Sequence, residues 1–281
     1  MGIITRVFSH VRSGVSSNDY YTSMNKALAR LNEEYTMLHY PYHVKKGESF
    51  FDAQKNLTDY CMSKLPPVKG KHMLEIGCGN GIQANYIFRK FAPASLTAID
   101  LNASNIEIAR LESKKQGCEN IRFHVDDAQC LKTIESNSMD YVINIESAFH
   151  YPDKPSFIRE IERVLKPGGI YLIADVLTTP RRRSRMTKMW KNRMLLNHWT
   201  LNSYKEELPK ANLEIYSMSD ITEGVIKSFS NYRQWLRTMN KNHIVEDQIL
   251  KIYYTIHIRL NIHLLRKRRL YCVITGSKPL A

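Results

Sequence analysis

The sequence predicts an α/β fold, a mostly parallel sheet with helices on both faces and a helical lid. Two observations carry that prediction. Short apolar runs alternate with segments of helical period, and a glycine-rich loop joins the first such run to the first helix of the series. Strands separated by helices need right-handed crossovers, which make neighbouring strands parallel.

The elements follow in order. HMLEI (72–76), LTAID (96–100), IRFHV (121–125), YVINI (141–145) and IYLIADV (170–176) read as strands. Between them, Ile82–Lys90, Ser104–Gln116 and Phe157–Leu165 read as helices. Lys166-Pro167-Gly168-Gly169 is a helix stop before the next strand. LEIYSMS (213–219) and LYCVIT (270–275) read as two later strands. Residues 1–54 are expected to form a tail and a helical lid segment, and 55–281 a core with lid insertions at about 181–210 and 225–266.

The chain has 281 residues and a formal charge of +14, which implies attraction to something acidic. Its five cysteines are scattered with no CxxC pair, so neither a zinc ribbon nor a disulfide framework is expected, and no metal. No apolar run reaches the roughly 18 residues needed to span a bilayer. The N-terminus lacks a secretory core, so a cytoplasmic location is expected. Arg6 and Arg12 among Ile3, Ile4, Val7, Phe8 and Val11 read as a tail, with a membrane-surface helix or an organelle-targeting peptide as alternatives.

The loop LEIGCGNG (74–81) opens a helix straight after a strand, so backbone can approach a ligand beside unpaired N–H groups. Its spacing is GxGxG through Gly77, Gly79 and Gly81, not the GxGxxG of a diphosphate cradle. Glu75 just before it suits a cationic ligand. Asp100, ending the second strand, is placed to accept ribose hydroxyls, and Asp127 with Ala128 after the third to meet an adenine rim. Cys78 is read as a space filler, Asp126 as a solvated neighbour of Asp127, and Gln83 as an ordinary first-turn residue unless it reaches the ligand.

LEIGCGNG, AIDLN, DDA and RVLKPGG together resemble the class I S-adenosylmethionine-dependent methyltransferases, over roughly residues 55 to 180. The stretch HWTLNSYKEELPKANLEIYSMSDIT is similar to the lid and sixth strand of the small-molecule branch, which includes sugar, polyketide-lipid, tocopherol and sterol methyltransferases. The resemblance implies a Rossmann-like seven-stranded sheet of order 3-2-1-4-5-7-6 with the last strand antiparallel. It implies S-adenosylmethionine as cofactor, with Glu75 at the methionine end, Leu101 beside the adenine, and Asn144 and Ile145 lining the sulfonium side by backbone carbonyls. NIESAFHYPD (144–153) resembles the ESLHHMPD-type segment of some sugar O-methyltransferases, with Phe149 in place of the first histidine. His150 is therefore expected to be the general base of an O-methylation, with Asp175 orienting it or sharing the role and raising its pKa. Tyr21, Tyr35 and Tyr151 are candidates for cation–π contact with the sulfonium.

The acceptor is expected to be small and apolar. Met186, Met189, Trp190, Met194, Leu195, Leu196 and Trp199 suggest a greasy lid. Arg181, Arg182, Arg183, Arg185, Lys188, Lys191 and Arg193, with the acid-free tail from Gln248, suggest peripheral contact with an anionic membrane. C- or N-methylation of a lipid-like or isoprenoid molecule is the alternative. An RNA methyltransferase is a further reading, disfavoured because the Asn/Asp-Pro-Pro-aromatic motif is absent after the fourth strand. A non-catalytic cofactor-binding role is the last. Oligomeric state is left open.

Overall fold

The computed structural model describes Thr22, Asn25, Lys26 and Ala29 and residues 34–179, 196–229 and 245–280. The basic stretch Arg181–Arg193, the apolar lid residues from Met186 to Leu195, and Tyr21 lie outside the described residues.

One seven-stranded sheet has the order β3-β2-β1-β4-β5-β7-β6. The strands are β1 (His72–Ile76), β2 (Ser95–Asp100), β3 (Ile121–Val125), β4 (Met139–Ile145), β5 (Leu165–Thr178), β6 (Glu214–Asp220) and β7 (Arg269–Ser277). The first five pair in parallel, and β7 runs antiparallel to both β5 and β6. This is the fold class and strand order expected from the sequence. The chain moves outward from β1 to β3, then returns to lay β4 on the other side of β1. That reversal opens a crevice at the carboxyl ends of β1 and β4, where open α/β sheets bind ligands.

The helices are α1 (Phe50–Met62), α2 (Ile82–Phe91), α3 (Ala103–Lys115), α4 (Lys154–Val164), α5 (Leu201–Lys210) and α6 (Val245–Lys267), with a further helical stretch at 222–229. Side chains fix most of their starts. Ser49, Asn102, Asp153 and Thr200 each accept a hydrogen bond from a first-turn N–H. Strand alternation then divides the core in two. Met73, Ala98, Ile143, Ala174 and Val273 face α1, α2, α3 and α6, while Leu74, Ile99, Val142, Ile173 and Ile274 face α4 and α5.

Two expectations need correction. Lys166–Gly169 lies inside β5, because Gly168 N–H donates to the Lys278 carbonyl and Lys278 N–H to that of Gly169, each at 2.9 Å. Leu201–Lys210, expected in a lid, is a helix on the sheet face, with Tyr204 and Leu208 fully buried.

A fully buried ion pair lies on that face. Lys154 and Asp175 are both fully buried and pair at 2.8 Å, and the Tyr204 hydroxyl donates to the same carboxylate oxygen at 2.7 Å. Lys154 Nζ also sits over the Trp199 and Tyr204 rings, 5.4 and 5.2 Å from their centroids. Lys154→Ala strands Asp175 without its counter-ion, and denaturant unfolding should show a loss of about 3–5 kcal/mol. Lys154→Met with Asp175→Leu removes both charges and should recover most of that loss.

Candidate active site

The crevice is a cavity bounded by the glycine loop, the tips of β2, β3 and β4, and the strap residues Met37, Leu38 and His39. It brings together Glu75, Gly77, Gly79, Asp100, Leu101, Asp127, Ala128, Ile145 and His150. Gly81, Asn144 and Asp175 are not on its wall.

The loop is shaped by its neighbours. Gly77, Gly79 and Gly81 all have left-handed backbone, at φ 76°, 55° and 74°. A Cβ at Gly77 would run into the Ser147 side chain, one at Gly79 would lie 2.8 Å from Leu38, and one at Gly81 2.6 Å from Ala109 on α3. Gly81 therefore acts by letting α2 and α3 approach. Asp100 holds the loop's crest: its carboxylate accepts from Gly79 N–H and Asn102 N–H at 2.9 Å each, and from Asn105 Nδ2 at 3.3 Å.

Glu75 is buried in the cavity floor. One oxygen accepts from Gln83 Nε2 at 2.7 Å, and the other, Oε2, has no protein partner. Burial, with Asp100 nearby, pushes its pKa up to about 8. A buried oxygen of a cavity-lining carboxylate that lacks a donor is a receptor for one. A cationic or N–H-bearing ligand group fits it, and an anion does not. Gln83 is thus a working partner of Glu75, not an ordinary first-turn residue. Cys78 lines the cavity, but burial raises its thiol well above the usual range, so it is not a nucleophile.

On the far side, Asp127 accepts from Gln129 N–H at 2.9 Å. Asp126 is buried, not solvated. It accepts from Thr133 N–H at 2.7 Å, the Thr133 hydroxyl at 2.6 Å and Lys132 N–H at 3.2 Å, which organises the turn that presents Asp127.

The segment after β4 departs most from expectation. Asn144 stands behind the wall and acts through its side chain, donating to the Ile76 carbonyl at 2.9 Å and to Ser147 Oγ at 2.7 Å. The Asp175 carboxylate is engaged by Lys154 and Tyr204 in the second core. Asp175 acts to raise the His150 pKa, as expected, but burial and the neighbouring His198 outweigh it and bring the value down to about 3. His150 is neutral and packs against Phe149, with ring centroids 4.3 Å apart. Tyr151 reaches the cavity and Tyr35 does not.

Sequence reasoning passed over Glu146. It lines the cavity beside Ile145 and holds left-handed backbone at φ 58°. Its Oε2 accepts from Tyr40 N–H at 2.7 Å, and burial pushes its pKa up to about 8. An acidic residue in αL at a pocket edge marks stored strain, on the order of 1–3 kcal/mol. Among the described residues no cluster of His, Cys, Asp and Glu could hold a metal ion, and no helix is long and apolar enough to cross a membrane.

Comparison with known proteins agrees with this geometry. A family model described as a methyltransferase domain matches residues 67–241. A fatty-acid O-methyltransferase of Mycolicibacterium smegmatis is 43% identical over 108 residues, 38% of either chain. A phthiotriol/phenolphthiotriol dimycocerosates methyltransferase of Mycobacterium leprae is 40% identical over 109 residues, 39% of either chain. The match thus spans about two fifths of the length of these curated relatives. The crystal structure of the [4+2]-cyclase SpnF superposes with a TM-score of 0.78 at 21% identity, covering 95% of this chain and 98% of that one, which shows the fold. With well over half its length matched by the family model, the chain belongs to the methyltransferase-domain family, the class I group that its sequence resembles.

Proposed function

We propose that the chain transfers a methyl group from S-adenosylmethionine to a small, lipid-like acceptor, and that Glu146 serves as the base. The observation that carries this reading is the cavity-lining Glu75 carboxylate with one buried oxygen left without a protein partner, on the same crevice as Asp100 and Asp127. Those residues fit the group. Glu75 would hold the cationic methionine end, Asp100 the ribose hydroxyls, and Asp127 and Ala128 the adenine rim, with Leu101 beside it. When bound, the cofactor supplies a methyl on a sulfonium, already activated for in-line displacement.

The chain's own residues align the acceptor and remove its proton. Alignment supplies up to about 7–11 kcal/mol by effective-molarity arguments. Glu146 and His150 both stand on the wall where an acceptor would lie. Glu146 is the better base at neutral pH, since its conjugate acid holds a proton up to about 8 while that of His150 sheds it near 3. The names of the two relatives, a fatty-acid and a dimycocerosate methyltransferase, support a lipid-like acceptor.

A second feature favours work beside a lipid surface. On α6, Ile252, Ile256 and Leu260 are 60%, 61% and 48% exposed at four-residue spacing. Arg259, Arg266, Lys267 and Arg268 are exposed on the same helix and its end, and no acid follows Asp247. An apolar stripe edged by cations suits an anionic bilayer.

Three measurements test these readings. Asp100→Ala should weaken S-adenosylmethionine binding about 100-fold or more by calorimetry, since charge-assisted hydrogen bonds contribute about 1.5–3 kcal/mol each. Unchanged affinity refutes the ribose assignment. Transfer of labelled methyl into fractionated cell lipid should rise with pH and level off above about 8, where Glu146 is ionised. Glu146→Gln should slow it by about 10²–10⁴ and abolish the slope, while His150→Ala keeps the slope. Loss of activity in His150→Ala alone would return the role to histidine. Finally, the protein should float with phosphatidylglycerol vesicles and not with phosphatidylcholine ones, and Ile256→Asp with Leu260→Asp should abolish flotation.

A further inference from the structure

Glu75 is the inner end of a chain of four buried side chains drawn from four segments. His39 Nε2 lies 3.2 Å from Thr58 Oγ1, Thr58 Oγ1 lies 3.3 Å from Gln83 Oε1, and Gln83 Nε2 lies 2.7 Å from Glu75 Oε1. At the outer end, His39 Nδ1 is 2.9 Å from the Tyr40 carbonyl. A carbonyl oxygen only accepts, so the proton of this ring nitrogen is committed there. Thr58 has one other neighbour, the weakly accepting Met37 Sδ at 3.7 Å.

The protons can then be counted. Burial pushes the His39 pKa down to about 4, so the imidazole is neutral and its single N–H is on Nδ1. Nε2 is therefore an acceptor. Thr58 owns one hydroxyl proton. With the Gln83 NH2 turned toward Glu75, that one proton faces two acceptors, His39 Nε2 and Gln83 Oε1, and one link stays empty. Turning the amide over fills every link: Thr58 donates to His39, and Gln83 donates to Thr58. The Gln83 oxygen then faces Glu75 and needs a donor. Only the carboxylic acid form of Glu75 provides one.

We propose that His39, Thr58 and Gln83 are positioning residues that keep Glu75 a neutral acid in the ligand-free pocket, and that a cationic ligand binds by displacing one proton from it. The inference rests on the reading of this pocket as the S-adenosylmethionine site and deepens it. The step balances. The Glu75 O–H breaks, its proton goes to solvent, the Gln83 amide turns its NH2 inward, and the carboxylate pairs with the ligand's ammonium, which keeps its own protons. The other titratable groups facing Glu75 work in the same direction. Asp100 at the tip of β2 opposes a second negative charge, and Cys78 in the loop stays a neutral thiol. The chain thus spares the empty pocket an uncompensated buried anion, which is costly without a partner.

The test reads Glu75 directly in the full-length protein. In ligand-free wild type at pH 7, Glu75 should contribute a protonated-carboxyl infrared band beside that of Glu146, the component that Glu75→Gln removes and Glu146→Gln leaves. His39→Phe and, independently, Thr58→Val free the Gln83 amide to donate to Glu75, so each should lower the pH at which the Glu75 component disappears, whereas Thr58→Ser should keep the wild-type midpoint. S-adenosylmethionine titrated into wild type at pH 7 in two buffers of different ionisation enthalpy should release close to one proton per molecule bound. His39→Phe should release less than wild type, by a difference that widens as the pH rises towards 8. The proposal is overturned if Glu75 is already ionised in ligand-free wild type, or if both chain variants titrate as wild type does. Should the carboxyl band follow His39 and Thr58 as expected while wild type binds no S-adenosylmethionine, the chain stands and the ligand assignment falls.

Discussion

The Asp100 carboxylate is the contact on which the site depends. One oxygen fixes Gly79 N–H, the crest of the glycine loop, and the other fixes Asn102 N–H, where α3 begins. Loop and helix come from different crossovers, so a single side chain sets their spacing. Gly81 permits that spacing, because α2 could not approach Ala109 with a larger residue there. Asn102 then caps α3, and its Nδ2 reaches Thr22 at 2.9 Å. Asn25 spans Asn105 and Asn80 at 2.7 and 2.9 Å, so the N-terminal segment is tied to the same corner. An acid that organises its own pocket stays partly desolvated, which raises its pKa and leaves it ready for hydroxyl donors.

Much of this was legible in the chain because it is local. Period-two apolar runs give the strands, and glycines placed where backbone must turn left-handed give the loop. The misreadings concern side chains whose partners are remote in sequence. Asp175 shares its strand face with Ile173 and Leu177, as alternation along β5 already implied, and so belongs to the second core and not to the crevice. That Lys154 would be drawn to it could not be read from a lysine at a helix start. Gln83, Thr58 and His39 acquire meaning only when α1 and the strap fold onto the loop. Glu146 is the instructive case. It stood in the open within NIESAFHYPD, but its significance depends on a left-handed φ and a Tyr40 N–H from a strap about a hundred positions away.

Two kinds of buried charge coexist in the molecule, and they behave differently. Lys154 and Asp175 compensate one another, with Tyr204 and the Trp199 ring completing the shell, so that site is closed and inert. Glu75 and Glu146 have no cation beside them among the described ion pairs, and their pKa values rise instead. An ion that is paired inside the protein has nothing left to offer a ligand. One whose partner is missing binds whatever supplies it. The contrast separates structural from functional carboxylates more sharply than their position on the strand tips does.

The same contrast applies to the whole surface. The chain is formally +14, yet Glu75, Asp100, Asp126, Asp127 and Glu146 all line one crevice. A cationic nucleoside entering it moves down the potential locally, against the field of the molecule as a whole. The basic exterior therefore does not draw such a cofactor in. On the proposed function, an acidic pocket in a basic shell sorts two ligands by charge, a cation inside and an anionic surface outside. The fold alone does not dictate that arrangement, since SpnF shares the architecture and is a cyclase. It follows from where this sequence places its acids, five of them at the strand tips and none after Asp247.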